Sequence, residues 1–81
     1  MQRQRELIQL THDQYEILEQ AVARGTRIAV QRRNAGRREY IIVPLKLHSR
    51  DGREAIEARN PNTGHDLTIY VDEIERVEAV R

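Results

Sequence analysis

The sequence predicts a mainly β domain with one N-terminal helix, in which five short antiparallel strands close into a small SH3-like or Sm-like barrel. Three observations support this prediction. A capped helix start stands at Thr11, the spacing of apolar residues changes from about 3.6 to 2 after Gly25, and turn-forming residues then recur at short intervals. The alternative is an open five-stranded sheet with the helix across one face.

The helix is predicted over residues 12–24. Thr11 and Gln14 match a capping box, in which each side chain satisfies a backbone N–H near the other residue. Gly25 is a typical C-terminal stop. The apolar residues fall on one helical face: Ile17, Leu18, Ala21 and Val22.

The first ten residues leave several conformations open. Leu7, Ile8 and Leu10 could extend the helix, add a strand or pack on a neighbouring subunit, although Leu10 with Tyr15 also fits a hydrophobic staple. We therefore divide the chain into an N-terminal segment, residues 1–10, and a domain over residues 11–81.

Alternation with a period of two predicts the strands. It begins at Ile28 and Val30, and it resumes in a β-prone run over residues 38–48. Pro44 lies inside this run and predicts a bulge, a bend or an edge, because proline has no N–H for a ladder. Three further strands, separated by Asp51-Gly52, Asn60–Gly64 and a one-turn link at 72–74, are predicted over 53–59, 65–71 and 76–80.

Composition restricts the class of protein. The formal net charge is only +1, there is no cysteine, and no apolar run is long enough for a membrane span. We therefore expect a soluble cytoplasmic domain without disulfides and without membrane contact. The charge is nevertheless segregated: residues 24–38 contain six arginines and no acid, whereas residues 51–78 contain eight acids and three arginines.

No pattern of residues predicts catalysis or a cofactor. His48, Ser49 and Asp51 are close in sequence, but neighbouring strand residues point to opposite faces, whereas a catalytic triad needs convergent side chains. The histidines lack metal-ligand spacing, and the glycines are isolated, so no phosphate loop is formed. We expect a protein that is not an enzyme.

The remaining candidate site is an arginine-rich hairpin. Guanidinium groups crowded at one turn favour an anion, so the hairpin is a candidate site for single-stranded nucleic acid or a nucleotide. In the other interpretation, the arginines pair with the acidic C-terminal half or with a second subunit. The candidate anion-binding residues are Arg27, Arg32, Arg33, Arg37 and Arg38.

From Ala21 to Val80 the order of features resembles a WYL domain, a ligand-sensing module of many bacterial transcription regulators. The stretch from Ala21 to Ile28 resembles the helix-to-strand entry "A-x-x-x-G-x-x-I", Pro44–Leu47 resembles the step "P-L-x-L", and Asp72–Ile74 resembles the closing "D-R-I". The resemblance implies a barrel preceded by a helix and a regulatory, ligand-binding function.

The chain departs from this family at positions that the family uses for ligands. Glu54 and Ala55 stand where the family has the Trp and Tyr of the Trp-Tyr-Leu triplet that gives it its name. Glu73 replaces the arginine of the closing motif, and Tyr70 replaces a second arginine. Two functions therefore stay open: a regulatory module that binds nucleic acid or a phosphorylated effector, and a structural protein that homo-oligomerises or docks to a larger partner.

Overall fold

The computed structural model describes residues 10–33 and 38–80. One α-helix precedes five strands, and a short 3-10 turn, Val71–Glu73, separates the last two strands. The helix and strands are α1 His12–Arg24, β1 Ile28–Arg32, β2 Glu39–Arg50, β3 Arg53–Arg59, β4 Asp66–Tyr70 and β5 Ile74–Ala79.

Both ends of α1 are capped as the sequence predicts. The Thr11 hydroxyl oxygen accepts a hydrogen bond from the Gln14 N–H at 3.2 Å, and the Gln14 side chain accepts one from the Thr11 N–H at 3.4 Å. At the other end Gly25 takes the left-handed conformation, φ 68°, and donates its N–H to the Ala21 carbonyl at 2.8 Å. The cap and the glycine thus fix the helix bounds.

The five strands form one antiparallel sheet in the order β4-β3-β2-β1-β5. This confirms a mainly β domain with an N-terminal helix, but the sheet is not closed into the predicted barrel. Within the described residues, no ladder joins β4 to β5. The 3-10 turn Val71–Glu73 links these two edge strands directly, so the sheet is strongly curled, but β5 is not folded back alongside β4 as in a hairpin.

Strand β2 is central and carries the irregularity that Pro44 predicts. The register with β3 shifts between Pro44 and Lys46, so Leu45 is an extra residue in the ladder. Such a bulge bends the strand and increases its twist. Pro44 is buried at the bend whereas Leu45 is exposed.

The core lies on the concave face of this bent sheet and is covered by α1. Every strand of the sheet contributes residues to this core, and the helix contributes Leu18 and Ala21. The large side chains that are fully buried are aliphatic: Leu18, Ile28, Val30, Ile42, Ile56, Ile69, Ile74 and Val77, together with Pro44. No buried residue in the described ranges is polar or charged, so the polar groups that concern function lie at the rim and on the convex face.

Of the predicted N-terminal segment, only Leu10 belongs to the described part of the chain. Its side chain is buried in the core, next to the start of α1. The predictions for residues 1–9, for the turn at 34–36 and for Arg37 fall outside the described residues. In the part of the chain that the structure describes, no helix has the length and apolar character needed to cross a bilayer.

Candidate functional site

The register of the β1–β2 hairpin brings arginines together at one end of the sheet. Gln31 and Glu39 are the last pair of the β1–β2 ladder, so Arg32, at the end of β1, and Arg38, just before β2, follow it at the same end. The following residue, Arg33, is held at the same end, because its N–H donates to the Glu73 carbonyl at 2.8 Å. The base of the hairpin is therefore tied to the 3-10 turn.

Glu73 connects this hairpin with another strand. One carboxylate oxygen, Oε1, accepts from Nη2 of Arg32 at 2.9 Å, and the other, Oε2, accepts from Nη2 of Arg53 at 3.4 Å. Arg32 belongs to β1 and Arg53 to β3, which are not neighbours in the sheet. The carboxylate thus brings a third strand to the basic end.

Asp72 binds the same arginine more tightly. The Arg53 guanidinium donates from Nε to Oδ2 at 2.9 Å and from Nη2 to Oδ1 at 2.7 Å, a two-pronged geometry that suits planar anions. These hydrogen bonds are the main cause that lowers the pKa of Asp72, and the charge of Arg33 adds to the effect. The pKa of Arg53 is raised by the same pair.

An aromatic ring lies under this guanidinium. The centre of the Arg53 guanidinium is 3.8 Å from the centroid of the Tyr70 ring, within the range of a cation–π contact. Tyr70 pairs with Ala55 on the face of β3 that is turned away from the core. The basic end thus contains an arginine–tyrosine stack at its border with the convex face.

We call this group the basic end. It comprises Arg32, Arg33, Arg38, Arg53, Asp72 and Glu73, and Glu39, next to Arg38 in the chain, borders it. Asp72 and Glu73 each pair with an arginine of this group. Arg38 is exposed and makes no ion pair with any described residue. The arrangement can hold a planar or tetrahedral anion, either at Arg38 or by replacing a carboxylate at Arg32 and Arg53.

The structure separates Arg27 from the other predicted site residues. Arg27 precedes β1, whereas Arg32 ends it, so their Cα atoms are about 16 Å apart at the usual strand rise. Arg27 instead lines a cavity of about 200 Å³ with Arg24 and the end of β5. The basic end therefore brings together Arg32, Arg33 and Arg38, without Arg27.

A second polar cluster lies on the convex face of β2, β3 and β4. Nε2 of His48 is 2.8 Å from Oε2 of Glu57, and the Thr68 hydroxyl donates to Oε1 of Glu57 at 2.9 Å. The hydrogen bond from His48 is the largest cause that lowers the pKa of Glu57, followed by the one from Thr68. The imidazole thus faces a carboxylate, and its other nitrogen lies 3.3 Å from the Ser49 carbonyl rather than from a hydroxyl.

The sequence indicated the arginines of the hairpin and, as one alternative, their pairing with the acidic C-terminal half, which Arg32 and Glu73 show, but it did not indicate which residues meet. Arg53, Asp72 and Glu73 were assigned to a strand start and a one-turn link, with no sign that they touch β1. Only the strand order places the 3-10 turn against the hairpin, and strand order has no local signature. Comparison with models of known protein families and with curated proteins gave no match.

Proposed function

We propose that the domain is a non-enzymatic, WYL-like binding module that holds single-stranded nucleic acid or a phosphorylated effector at the basic end. The observation that supports this most is that Arg32 and Arg53, from two strands that are not neighbours, meet at the Glu73 carboxylate. Arg33 and Arg38 lie at the same end of the β1–β2 hairpin. Guanidinium forks match phosphate oxygens, and their positive charge attracts a polyanion.

The existing ion pairs suggest how a ligand binds. Phosphate oxygens offer Arg53 the same two-pronged acceptor geometry that Asp72 offers now. The side chains of Arg32, Arg53 and Glu73 remain about a third exposed or more, so water and ions reach the pairs. Exposed pairs of this kind are weak, about 0–1 kcal/mol, and a ligand phosphate can replace them.

The arginine–tyrosine stack favours a ligand that carries a base. Bases in single strands stack on aromatic rings and on guanidinium planes. The Arg53 side chain is 41% exposed above the Tyr70 ring, so a base can approach this pair. The phosphate would then lie toward Arg32 and Arg38.

The proposal can be tested with a fluorescein-labelled oligothymidylate. A length of about 16 nucleotides is the upper end of the site size for one small domain. Fluorescence anisotropy at low salt should show saturable binding that weakens steeply as salt increases. Arg38→Glu should weaken binding about ten-fold or more, because it reverses an exposed charge at the site. Arg27→Glu makes the same charge change at the far end of β1 and is the matched control.

Two results would count against the proposal. One is the absence of binding at low salt, both to the oligonucleotide and to a mononucleotide competitor. The other is equal weakening by Arg38→Glu and Arg27→Glu, which would indicate attraction by overall charge rather than by the basic end. Circular dichroism of both variants confirms that the fold is retained.

A second candidate function is a structural or docking role without an anionic ligand. Its specific support is that Asp72 and Glu73 already occupy Arg53 and Arg32 within the chain. In addition, β4 and β5 are edge strands with no described strand beyond them, and such edges pair readily with other chains. Mass in solution with and without oligonucleotide distinguishes the two functions.

A further inference from the structure

The convex face of β2 carries an apolar row between two opposite charges. From Glu39 to Val43, every second side chain of β2 points away from the core. At the bulge Leu45 is an extra exposed residue, and Lys46 after it also points outward. We call these residues the β2 outer row: Glu39, Ile41, Val43, Leu45 and Lys46.

The middle of the β2 outer row exposes apolar surface to solvent. Ile41 is 37% exposed and Leu45 is 41% exposed, and Val43 between them is half-buried. Ala29, which pairs with Ile41 from β1, is buried and adds little to this exposed surface. Burial of such surface against a partner is favourable.

The two charged ends of the row have no partners within the described chain. Glu39 and Lys46 are both exposed, and neither makes an ion pair there. The neighbouring charges on the same face are paired instead, Arg59 with Asp66 at 3.0 Å and Arg76 with Glu78 at 2.9 Å. Glu57, directly opposite Lys46 in the ladder, is bound by His48 at 2.8 Å. Among the described residues, Glu39 and Lys46 are therefore the charges of this face that form no ion pair.

The order of charges makes the row complementary to itself. A two-fold axis through Val43 turns the row end for end, so the acidic end of one copy meets the basic end of the other. Glu39 and Lys46 are seven positions apart, at most about 23 Å at the usual strand rise, and the symmetric arrangement forms their contact twice. The apolar residues then meet at the centre.

We propose that the partner of this surface is a second copy of the chain, packed face to face through the β2 outer row. In this homodimer Glu39 of one protomer lies opposite Lys46 of its partner, and Ile41 and Leu45 pack between the two ion pairs. Sheets that pack in this way lie about 10 Å apart, which suits side chains of this size. The arginines of the basic end are not members of the β2 outer row, although Arg38 directly precedes Glu39.

Sedimentation velocity over a range of protein concentrations tests the dimer. The wild-type chain should show a monomer–dimer equilibrium. Glu39→Lys and Lys46→Glu should each raise the dimer dissociation constant about ten-fold or more, because each places like charges opposite each other twice. The double variant Glu39→Lys/Lys46→Glu exchanges the ends and should restore the wild-type constant within about three-fold.

Leu45→Ser and Glu75→Lys complete the test. Leu45→Ser removes apolar surface at the centre and should weaken the dimer, whereas Glu75→Lys changes an exposed charge on β5 outside the row and should not. A chain that is monomeric at all concentrations overturns the proposal. So does a double variant that associates no better than the single variants, or a dimer that is lost only when residues 2–8 are removed.

Discussion

The Glu73 carboxylate accepts a hydrogen bond from Arg32 at 2.9 Å, which joins the 3-10 turn to the end of β1. The contact spans 41 residues of sequence and joins two segments that share no hairpin. Because Arg53 reaches the other oxygen of the same carboxylate, Glu73 also links β1 to β3 across the open side of the sheet. Its removal should therefore affect both the fold and the basic end.

We expect Glu73→Gln to change stability and ligand affinity in opposite directions. The neutral amide weakens two exposed ion pairs, so the free energy of unfolding should fall by about 1 kcal/mol. The same change releases Arg32, while Arg53 stays bound to Asp72, so oligonucleotide affinity should rise. Urea unfolding and fluorescence anisotropy measure the two effects, and Glu75→Gln, two residues along the chain and exposed, is the matched control.

A decrease in both the free energy of unfolding and the oligonucleotide affinity would show that Glu73 positions the arginines for the ligand rather than competing with the ligand. An unchanged affinity in Glu73→Gln would place the ligand away from Arg32.

Acid should destabilise the fold through Asp72 and Glu57. Hydrogen bonds from Arg53 and from His48 lower the pKa of these carboxyls in the folded state, so the unfolded chain takes up protons first as the pH falls. Their contribution is complete above the ordinary carboxyl pKa of about 4 and is lost as the pH falls through the lowered values. Urea midpoints between neutral pH and pH of about 2 measure this loss.

The comparison for this prediction is the variant Glu57→Gln. Its stability should decline less between neutral and acid pH than that of the wild type, because one of the two lowered carboxyls is gone. Equal declines would show that Glu57 does not contribute to the acid sensitivity.

High pH should destabilise the fold through ionisation of Tyr15. Burial against the core, followed by the hydrogen bond that its hydroxyl donates to Glu54, raises the pKa of Tyr15 to about 12. The folded state therefore keeps this proton longer than the unfolded state, whose tyrosines ionise at about 10. The resulting stability is complete below about pH 10 and is lost as the pH rises toward the folded value.

Absorbance at 295 nm follows this ionisation. Tyr15→Phe should remove a late phase from the titration, and Glu54→Gln should move that phase to lower pH without abolishing it. A Tyr15→Phe titration identical in shape to the wild type would contradict the prediction.

Leu18 should contribute most of what α1 adds to the core. Its side chain is fully buried between the helix and the sheet, so Leu18→Ala leaves a cavity and should lower the free energy of unfolding by about 2–5 kcal/mol. Leu45→Ala removes the same atoms from an exposed position and should cost about 0.5 kcal/mol or less. Urea unfolding at low protein concentration compares the two variants, and similar losses would contradict this assignment of the core.

Local chemistry explains why much of the fold could be predicted. The capping box and Gly25 set the bounds of α1, and the predicted β3 agrees with the observed Arg53–Arg59. Inward Ile69 and Val71 follow from strict alternation and are buried. Strand β5 was predicted from residue 76 but begins at Ile74, because the 3-10 turn is centred one residue earlier than expected.

Long-range geometry explains what could not be predicted. Whether the sheet closes depends on how the chain crosses between β4 and β5, and no residue in the one-turn link specifies that path. The contact of Glu73 with Arg32 depends on the same crossing. The sequence therefore indicated which arginines are crowded together along the chain but not which carboxylates lie beside them.

Leu45 has a consequence for the shape of the whole molecule. It is the surplus residue of β2, and without it Pro44 and Lys46 would continue an uninterrupted ladder with the inward residues still in phase. A chain shortened by Leu45 would therefore keep its pairing and its core composition, yet lose the bend that wraps the two halves of the sheet around α1. The curvature of this small domain thus depends on one extra backbone residue whose own side chain is largely exposed.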